Sequence, residues 1–307
     1  MRHRPIGLGI MGFHDALYML KTPYASQEAV DFADQSMEMV SYYAIQASSN
    51  LAAERGAYQS YEGSLWSQGI LPIDSIKLLK ESRGEDYLDM DESMTMDWDS
   101  LRETVKKQGI RNSNVMAIAP TATIANITGV SQSIEPTYQN LYVKSNLSGE
   151  FSVTNIPMVD TLKELGIWDS VKINDLKYYD GSVNEISRIP EEVKELYATA
   201  FDIEPRWLID AASRRQKWID QSQSLNLYID EPSGKKLDIM YRMAWLRGLK
   251  TTYYLRSRSA TTTEKSTIST GELNAVSANA QPEEKLQANT TAPSACSVLD
   301  PDCDACQ

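Results

Sequence analysis

Apolar residues recur at helical spacing over a long stretch near the start of the chain, from Ser26 to about Arg55. The apolar positions are Val30, Phe32, Ala33, Met37, Val40, Ala44 and Leu51. Because residues three and four apart share one face of a helix, this stretch is predicted to form a single long helix. Gly56 follows directly and is a residue type on which helices commonly end.

Short apolar runs bounded by turn residues predict three strands. Residues 114–119 form the first run, which Pro120 stops before a short helical segment. Residues 225–229 form the second run, and a helix with Ser233 at its start separates it from the third, 251–255. Strands that alternate with helices are typical of an α/β layer or barrel, which is the fold class we expect.

The remaining body has weaker patterns. Ser100 and Glu103 have the spacing of a capping box, which predicts a helix that begins at Ser100 and ends near Gly109. The acidic stretch 85–99 is predicted to be a solvated surface loop. Further helices are predicted near residues 158–165, 190–201 and 205–218.

The composition changes after Tyr254, since no Phe, Tyr or Trp follows it. A segment with nothing large to bury does not offset the entropy lost on ordering. We therefore expect a folded body of residues 1–255 and a flexible tail of residues 256–307.

The charge and the cysteines exclude several classes of protein. The net charge of -12 repels a phosphate backbone, so no nucleic-acid partner is expected. All three cysteines lie in the tail, at Cys296, Cys303 and Cys306, so no disulfide holds the body and secretion gains no support.

The first residues combine basic and apolar positions, as a signal peptide does, but His14 and Asp15 cut the apolar run short. No stretch reaches the roughly 20 apolar residues that span a bilayer. We expect a cytoplasmic protein without a membrane partner.

Gly7, Gly9 and Gly12 have the GxGxxG spacing of a dinucleotide-binding loop. That motif requires a strand before it and an acidic residue about 20 positions later, inside a βαβ unit. Only six residues precede it, and Asp31 and Asp34 fall within the predicted long helix. A tightly packed turn is the better supported interpretation.

Residues 119–126, Ala-Pro-Thr-Ala-Thr-Ile-Ala-Asn, have two interpretations. A helix that begins at Thr121 directly after a strand offers free N–H groups and hydroxyls to a phosphate, and Ala122 leaves room for close approach. Alternatively, a threonine caps only its own helix. The residues alone leave both open.

Tyr253 and Tyr254 are adjacent in the last predicted strand. Aromatic pairs at such positions are usually core or interface residues. Neighbouring residues of a regular strand point to opposite faces, so contact between the two rings requires an irregular backbone. In contact, the phenols would form a one-electron relay, because a phenol loses an electron and a proton together.

Cys303 and Cys306 form a CxxC pair near the end of the tail. A zinc site is disfavoured because the two histidines, His3 and His14, lie at the far end and no second CxxC exists. The acidic neighbours of the pair disfavour a thiolate and hence thioredoxin-like activity. We interpret the pair as a dithiol that exchanges with other proteins and with a buried disulfide, on a tether of about 50 residues with a reach of roughly 40 Å.

Taken together, several stretches resemble the C-terminal part of the large, catalytic α subunit of class I ribonucleotide reductase. They run in family order over the whole chain. The stretches are residues 2–12, 117–126, 133–136, 147–151, 219–226, 253–254 and the terminal cysteine pair.

The resemblance implies the C-terminal portion of a ten-stranded α/β barrel with a disordered C-terminal tail. The family replaces the 2′-hydroxyl of a ribonucleotide, usually a diphosphate, with hydrogen by radical chemistry. By resemblance the substrate phosphates bind a loop formed by Pro120, Thr121, Ala122, Thr123 and Ile124. Many relatives carry a hydroxyl at Ile124, so a contact there would have to come from the backbone N–H.

The resemblance also assigns redox roles. Tyr253 and Tyr254 match the pair that relays a radical from the small β subunit, with Tyr253 nearer the active site. Cys303 and Cys306 match the tail dithiol that re-reduces an active-site disulfide and is recharged by thioredoxin or glutaredoxin. Cys296 has no assigned role.

The chain departs from the family in lacking the radical cysteine, the active-site disulfide and the regions that bind allosteric nucleotides. We expect it to be the C-terminal half of a split or truncated α subunit, inactive without an N-terminal half. No cofactor or metal is expected on this chain, and the metal-containing radical cofactor is expected on the β subunit. The alternative is a non-catalytic remnant or a module that binds the β subunit.

Overall fold

The structure, a computed structural model, describes residues 2–146 and 149–258. Cys296, Cys303 and Cys306 lie outside the described residues, so the predictions made for the tail stay predictions. The elements of the described part are α1 (Phe13–Met19), α2 (Gln27–Arg55), a 3-10 turn (Pro72–Asp74), α3 (Ser75–Arg83), a second 3-10 turn (Glu85–Tyr87), α4 (Trp98–Gln108), α5 (Ile124–Thr128), β1 (Leu141–Asn146), β2 (Gly149–Thr154), α6 (Ile156–Glu164), α7 (Ser170–Tyr178), α8 (Glu191–Leu196), α9 (Pro205–Gln216), β3 (Leu227–Ile229), α10 (Gly234–Leu246) and β4 (Leu255–Ser257).

The long helix α2 forms as the sequence predicts. The Ser26 hydroxyl accepts a hydrogen bond from the Ala29 N–H at 3.1 Å, which caps the start of the helix. Gly56 ends it with a φ of 78°, a conformation that favours glycine. The helix packs against α4 and α9 and carries the centre of the main hydrophobic core, where Met37 and Ile45 are fully buried.

Four extended segments lie side by side and run parallel. Their order is 6–8, 115–118, 223–229 and 253–257, and helices connect them along the chain. This is the parallel α/β layer that the alternation of strands and helices predicts. The residue pairs that set the register are Leu8 with Met116, Ile118 with Gln223, and Leu227 with Leu255.

The predicted strand 114–119 is extended, and its residues Val115, Met116 and Ile118 are buried, but among the described residues it forms only single bridges to its neighbours. The Asp220 carboxylate accepts hydrogen bonds from the N–H groups of Val115 at 3.0 Å and Met116 at 2.7 Å. A side chain therefore takes the place of part of the ladder, which no local pattern could reveal.

The predicted start of α4 at Ser100 is wrong. The helix begins at Trp98, and the Asp97 carboxylate caps it by accepting the Ser100 N–H at 3.0 Å. Trp98 is buried and stacks on Trp218 with 5.1 Å between ring centroids, so packing fixes the first turn.

The predicted helix 190–201 is shorter than expected, because α8 ends at Leu196. The N–H and the hydroxyl of Thr199 both donate to Asp202 Oδ2, at 2.9 and 2.6 Å. This local turn prevents the helix from continuing to Phe201.

The acidic stretch 85–99 is more closely tied to the body than a solvated loop would be. Buried Glu38 accepts hydrogen bonds from the Thr95 N–H at 2.7 Å and from the indole N–H of Trp98 at 2.9 Å. Asp91 pairs with buried Lys217, with 2.5 Å between Oδ1 and Nζ.

Sequence patterns predicted no element at α1, α3, α7 or the antiparallel hairpin of β1 and β2. A second, smaller core lies around α6 and α7, and its buried residues are Tyr18, Met158, Val159, Leu162, Leu176, Val183, Ile186, Ile189, Val193 and Tyr197. None of the helices in the described part of the chain is long and apolar enough to cross a membrane.

Candidate active site

The loop after the second extended segment has an unusual backbone. Thr121 has a φ of 54° and Ser133, which faces it, a φ of 48°. The Ser133 N–H donates to Thr121 Oγ1 at 2.8 Å. Left-handed conformations at residues other than glycine are uncommon, and they concentrate at functional sites.

The helix after this loop, α5, begins at Ile124 and not at Thr121 as expected. Thr123 occupies the cap position but its side chain makes no capping hydrogen bond, and the Thr121 hydroxyl is bonded to Ser133. Neither threonine therefore caps the helix, which removes support from the interpretation of this segment as a simple N-cap.

Three N–H groups of the loop belong to exposed residues. The carbonyl oxygens of Thr121 and Ala122 accept hydrogen bonds from residues of α5. Within the described residues, no protein acceptor is present for the N–H groups of Ala122, Thr123 and Ile124, and all three residues are exposed. Such groups can bind an anion.

Tyr253 and Tyr254 are exposed and in contact. The two residues are 51% and 52% exposed, and their ring centroids lie 4.1 Å apart at an angle of 50°. The regular strand β4 begins only at Leu255, so the irregular backbone that ring contact requires is present. Interaction with the Tyr254 phenol raises the pKa of Tyr253. The pair is not part of the core.

The parallel register places the loop and the tyrosine pair at the same level. Ile118 pairs with Gln223, so Pro120 falls opposite Leu225 on one side. On the other side, the Tyr253 N–H donates to the carbonyl oxygen of Leu225 at 2.7 Å. Two inter-strand spacings amount to roughly 10 Å between the two segments.

Buried polar groups support the tyrosine pair. Glu135 accepts hydrogen bonds from the Tyr228 hydroxyl at 2.7 Å and from the Asn226 N–H at 3.4 Å. The Asn226 side chain in turn accepts the Tyr254 N–H at 3.1 Å. Sequence reasoning gave Glu135 and Asn226 no role, although both lie in stretches that match the family.

Burial dominates the electrostatics of this cluster. It raises the pKa of Glu135, and hydrogen bonds from Tyr228 and Asn226 oppose the shift. Burial and the nearby Glu135 carboxylate also raise the pKa of Tyr228, so this phenol stays protonated near neutral pH. Arg215 is fully buried, with its guanidinium 4.1 Å from the ring centroid of Phe13.

The glycine-rich turn near the start of the chain packs against the second extended segment. A Cβ atom on Gly9 would collide with the carbonyl oxygen of Ala117. Asp31 and Asp34, the acidic residues at about the distance that the motif requires, instead form ion pairs with Arg214. These contacts support the packed turn and not a dinucleotide site.

No group of three or more His, Cys, Asp or Glu residues in the described ranges could hold a metal ion. The histidines have structural contacts. His3 lies 2.6 Å from the Ser60 hydroxyl, and His14 Nδ1 accepts the Thr137 N–H at 2.8 Å. Burial lowers the pKa of His14 to about 3, so its ring is neutral.

Comparison with known proteins decides the family. The family model described as "Ribonucleotide reductase, barrel domain" matches residues 1–255. The chain belongs to this family. The resemblance found in the sequence and the expected barrel fold class are both confirmed.

Relatives in the family are considerably longer than this chain. The ribonucleoside-diphosphate reductase subunit alpha of Chlamydia muridarum is 62% identical over 266 residues, which cover 87% of this chain and 25% of the relative. The large subunit of Arabidopsis thaliana is 37% identical over 312 residues, covering 100% of this chain and 37% of the relative. The solved Actinobacillus ureae class Id ribonucleotide reductase alpha subunit has a TM-score of 0.63 and 27% identity, over 84% of this chain and 40% of that chain. This chain therefore spans less than half the length of these relatives.

Proposed function

We propose that this chain is the C-terminal part of a ribonucleoside-diphosphate reductase α subunit and acts in the conversion of ribonucleotides to deoxyribonucleotides, the precursors of DNA. One observation carries the proposal. An exposed, ring-contacting tyrosine pair and a loop whose N–H groups have no acceptor among the described residues flank the same residue, Leu225, at one level of the parallel layer.

The loop formed by Pro120, Thr121, Ala122, Thr123 and Ile124 would hold the substrate diphosphate. The N–H groups of its last three residues, which have no acceptor among the described residues, would donate to phosphate oxygens, and the exposed Thr123 hydroxyl would add a further donor. Ile124 contributes through its backbone. Preorganised N–H donors cost little reorganisation when an anion binds.

The tyrosine pair would carry the radical between the β subunit and the active site. A radical on Tyr254 takes an electron and a proton from Tyr253, so the phenol of Tyr254 is restored and the radical moves inward. Ring contact at 4.1 Å suits this hop, and the exposure of both side chains leaves them open to a partner subunit.

The thiol chemistry of the reaction must come largely from elsewhere. Residues 1–295 contain no cysteine, so the body cannot supply a thiyl radical or an active-site disulfide. In the proposal an N-terminal half provides both. Cys303 and Cys306 of the tail would re-reduce that disulfide and be recharged by thioredoxin or glutaredoxin in the cytoplasm.

In this assignment the chain holds no cofactor of its own. The metal-containing radical cofactor would belong to a separate β subunit. The substrate is a ribonucleoside diphosphate, and the chain alone is expected to be inactive.

Reconstitution tests the proposal. The purified chain is assayed for reduction of a ribonucleoside diphosphate alone, with an N-terminal half of the α subunit, and with that half and the β subunit. We expect turnover only in the complete mixture. Turnover by the chain alone, or none in any mixture, would contradict the assignment.

A further inference from the structure

The two tyrosines stand opposite a single residue of the neighbouring strand. In a regular parallel ladder, one residue opposite Asn226 would donate its N–H to Leu225 and accept from Leu227 through its own carbonyl. Here Tyr253 supplies the N–H, at 2.7 Å, and Tyr254 supplies the carbonyl, at 2.8 Å. The strand therefore contains one extra residue, which makes this site a β-bulge.

The bulge accounts for the ring contact. Consecutive side chains of a regular strand point to opposite faces, whereas an extra residue re-aims one of them. The rings of Tyr253 and Tyr254 consequently lie 4.1 Å apart between centroids. Without the bulge, the sheet itself would separate the two phenols.

A side chain holds the bulge in place. The N–H of Tyr254, displaced from the ladder, donates to Asn226 Oδ1 at 3.1 Å. Asn226 is only 8% exposed, and its own backbone N–H donates to Glu135 Oε1 at 3.4 Å. The second oxygen of Glu135 accepts the Tyr228 hydroxyl, so the asparagine is fixed from the interior.

We propose that Asn226 is a positioning residue for the tyrosine relay: its amide oxygen stabilises the bulge that brings the phenols of Tyr253 and Tyr254 into contact. The role rests on the proposed function. In the step it serves, the Tyr254 oxyl radical gains one electron and one proton from the Tyr253 phenol, which becomes the radical, and no other reactant is consumed. The radical enters from the metal-containing partner subunit.

Removal of the amide oxygen leaves the Tyr254 N–H without its acceptor. The backbone then regains hydrogen bonding by returning to a regular ladder, because an unsatisfied N–H costs about 1–3 kcal/mol. In a regular ladder the two rings face opposite sides and lose contact.

Titration of the full-length chain tests the geometry without any reductase assay. The protein is labelled with 3-fluorotyrosine, and the signals of the pair are assigned by fluorine NMR with Tyr253→Phe and Tyr254→Phe. In the native background, Tyr254→Phe lowers the pH midpoint at which Tyr253 titrates, because the Tyr254 phenol raises the pKa of Tyr253. When Asn226→Ala is also present, Tyr254→Phe leaves the titration midpoint of Tyr253 unchanged.

The matched control is Asn184→Ala, which makes the same substitution at an exposed asparagine and leaves the Asn226 amide in place, and so retains the midpoint shift. Arg256 is a charged group that faces the pair, with its guanidinium 5.4 Å from the Tyr254 ring centroid, and it is the same in every variant. Asn226→Ser is a second variant, whose side chain is too short to reach the Tyr254 N–H. Thermal unfolding shows which of the two Asn226 variants is folded, and the titration uses that variant.

Turnover then tests the role. In the reconstituted reductase we expect Asn226→Ala to lower kcat by about tenfold or more, equivalent to about 1.4 kcal/mol, while KM for the diphosphate stays within about twofold. The proposal is overturned if the folded Asn226 variant keeps the shift in the Tyr253 titration midpoint. It is also overturned if the variant loses that shift but keeps the native kcat. Native kcat in Tyr253→Phe is a different result, since it refutes the relay and with it the proposed function.

Discussion

Replacement of Gly9 by alanine perturbs the packing that joins the first two extended segments. The new Cβ would collide with the carbonyl oxygen of Ala117 and lie 3.1 Å from the Cα of Ile118. Both neighbours are backbone atoms that cannot rotate away, so the segments must separate.

The structure sets the magnitude of the effect. Overpacking of this kind costs about 1–3 kcal/mol, and the smaller entropy of the unfolded alanine chain returns about 0.4–1 kcal/mol. We expect Gly9→Ala to lower the free energy of unfolding by about 1–2 kcal/mol. The matched control is Gly234→Ala at the start of α10, where nothing lies within 4 Å of the added Cβ. There the free energy of unfolding should rise by up to about 1 kcal/mol.

Urea unfolding of the full-length chain, followed by far-ultraviolet circular dichroism, measures both variants. The midpoint should fall in Gly9→Ala and hold or rise in Gly234→Ala, with similar slopes because the buried surface is unchanged. Equal midpoints in the two variants would refute the close backbone approach, and with it the packed turn.

Three further outcomes are expected. Burial raises the pKa of Glu38, but hydrogen bonds from Thr95 and Trp98 outweigh that effect and bring the pKa below the ordinary carboxyl value of about 4. The stabilisation that Glu38 contributes is therefore present above the unfolded pKa and is lost as the pH falls through the folded value. Glu38→Gln should remove this part of the acid sensitivity in urea titrations between about pH 3 and 7, and an unchanged profile counts against it. Asp34→Ala leaves buried Lys217 with one carboxylate fewer and should cost about 3–5 kcal/mol, whereas Asp31→Ala, at a more exposed partner of the same cluster, should cost under about 1 kcal/mol; equal losses in thermal unfolding would contradict the distinction. In the reconstituted enzyme Ala122→Asp should raise KM for the diphosphate at least about tenfold through repulsion, with Ala122→Asn as the uncharged control, and a native KM would argue against the phosphate loop.

The sequence predicted those elements that local residues determine. The start and end of α2 follow from Ser26 and Gly56, and the cap of α10 follows from Ser233, whose side chain accepts the Lys236 N–H. The need for an irregular backbone at Tyr253 also followed from the geometry of a strand alone.

Contacts between distant segments explain what the sequence did not predict. Two residues, Asp97 and Ser100, had the chemistry to cap α4, and the stacking of Trp98 on a residue 120 positions later decided between them. Asp220 bonds to residues more than 100 positions earlier in the chain.

The candidate site was predicted in its parts but not in its connections. The loop and the tyrosine pair were identified from residue types and family resemblance. The link through Glu135 spans 91 positions to the Asn226 N–H, so only the fold brings these groups together.

The central claim is that the tyrosine pair carries a radical through this chain. The most direct measurement is nucleotide reduction by the reconstituted enzyme with Tyr254→Phe, because phenylalanine keeps the ring but has no phenolic hydrogen. Tyr43→Phe is the matched control, since that side chain is 55% exposed on α2. We expect Tyr254→Phe to reduce turnover at least about a thousandfold, equivalent to about 4 kcal/mol, while subunit binding and the Tyr43→Phe control stay at native levels. Native turnover in Tyr254→Phe would contradict the account.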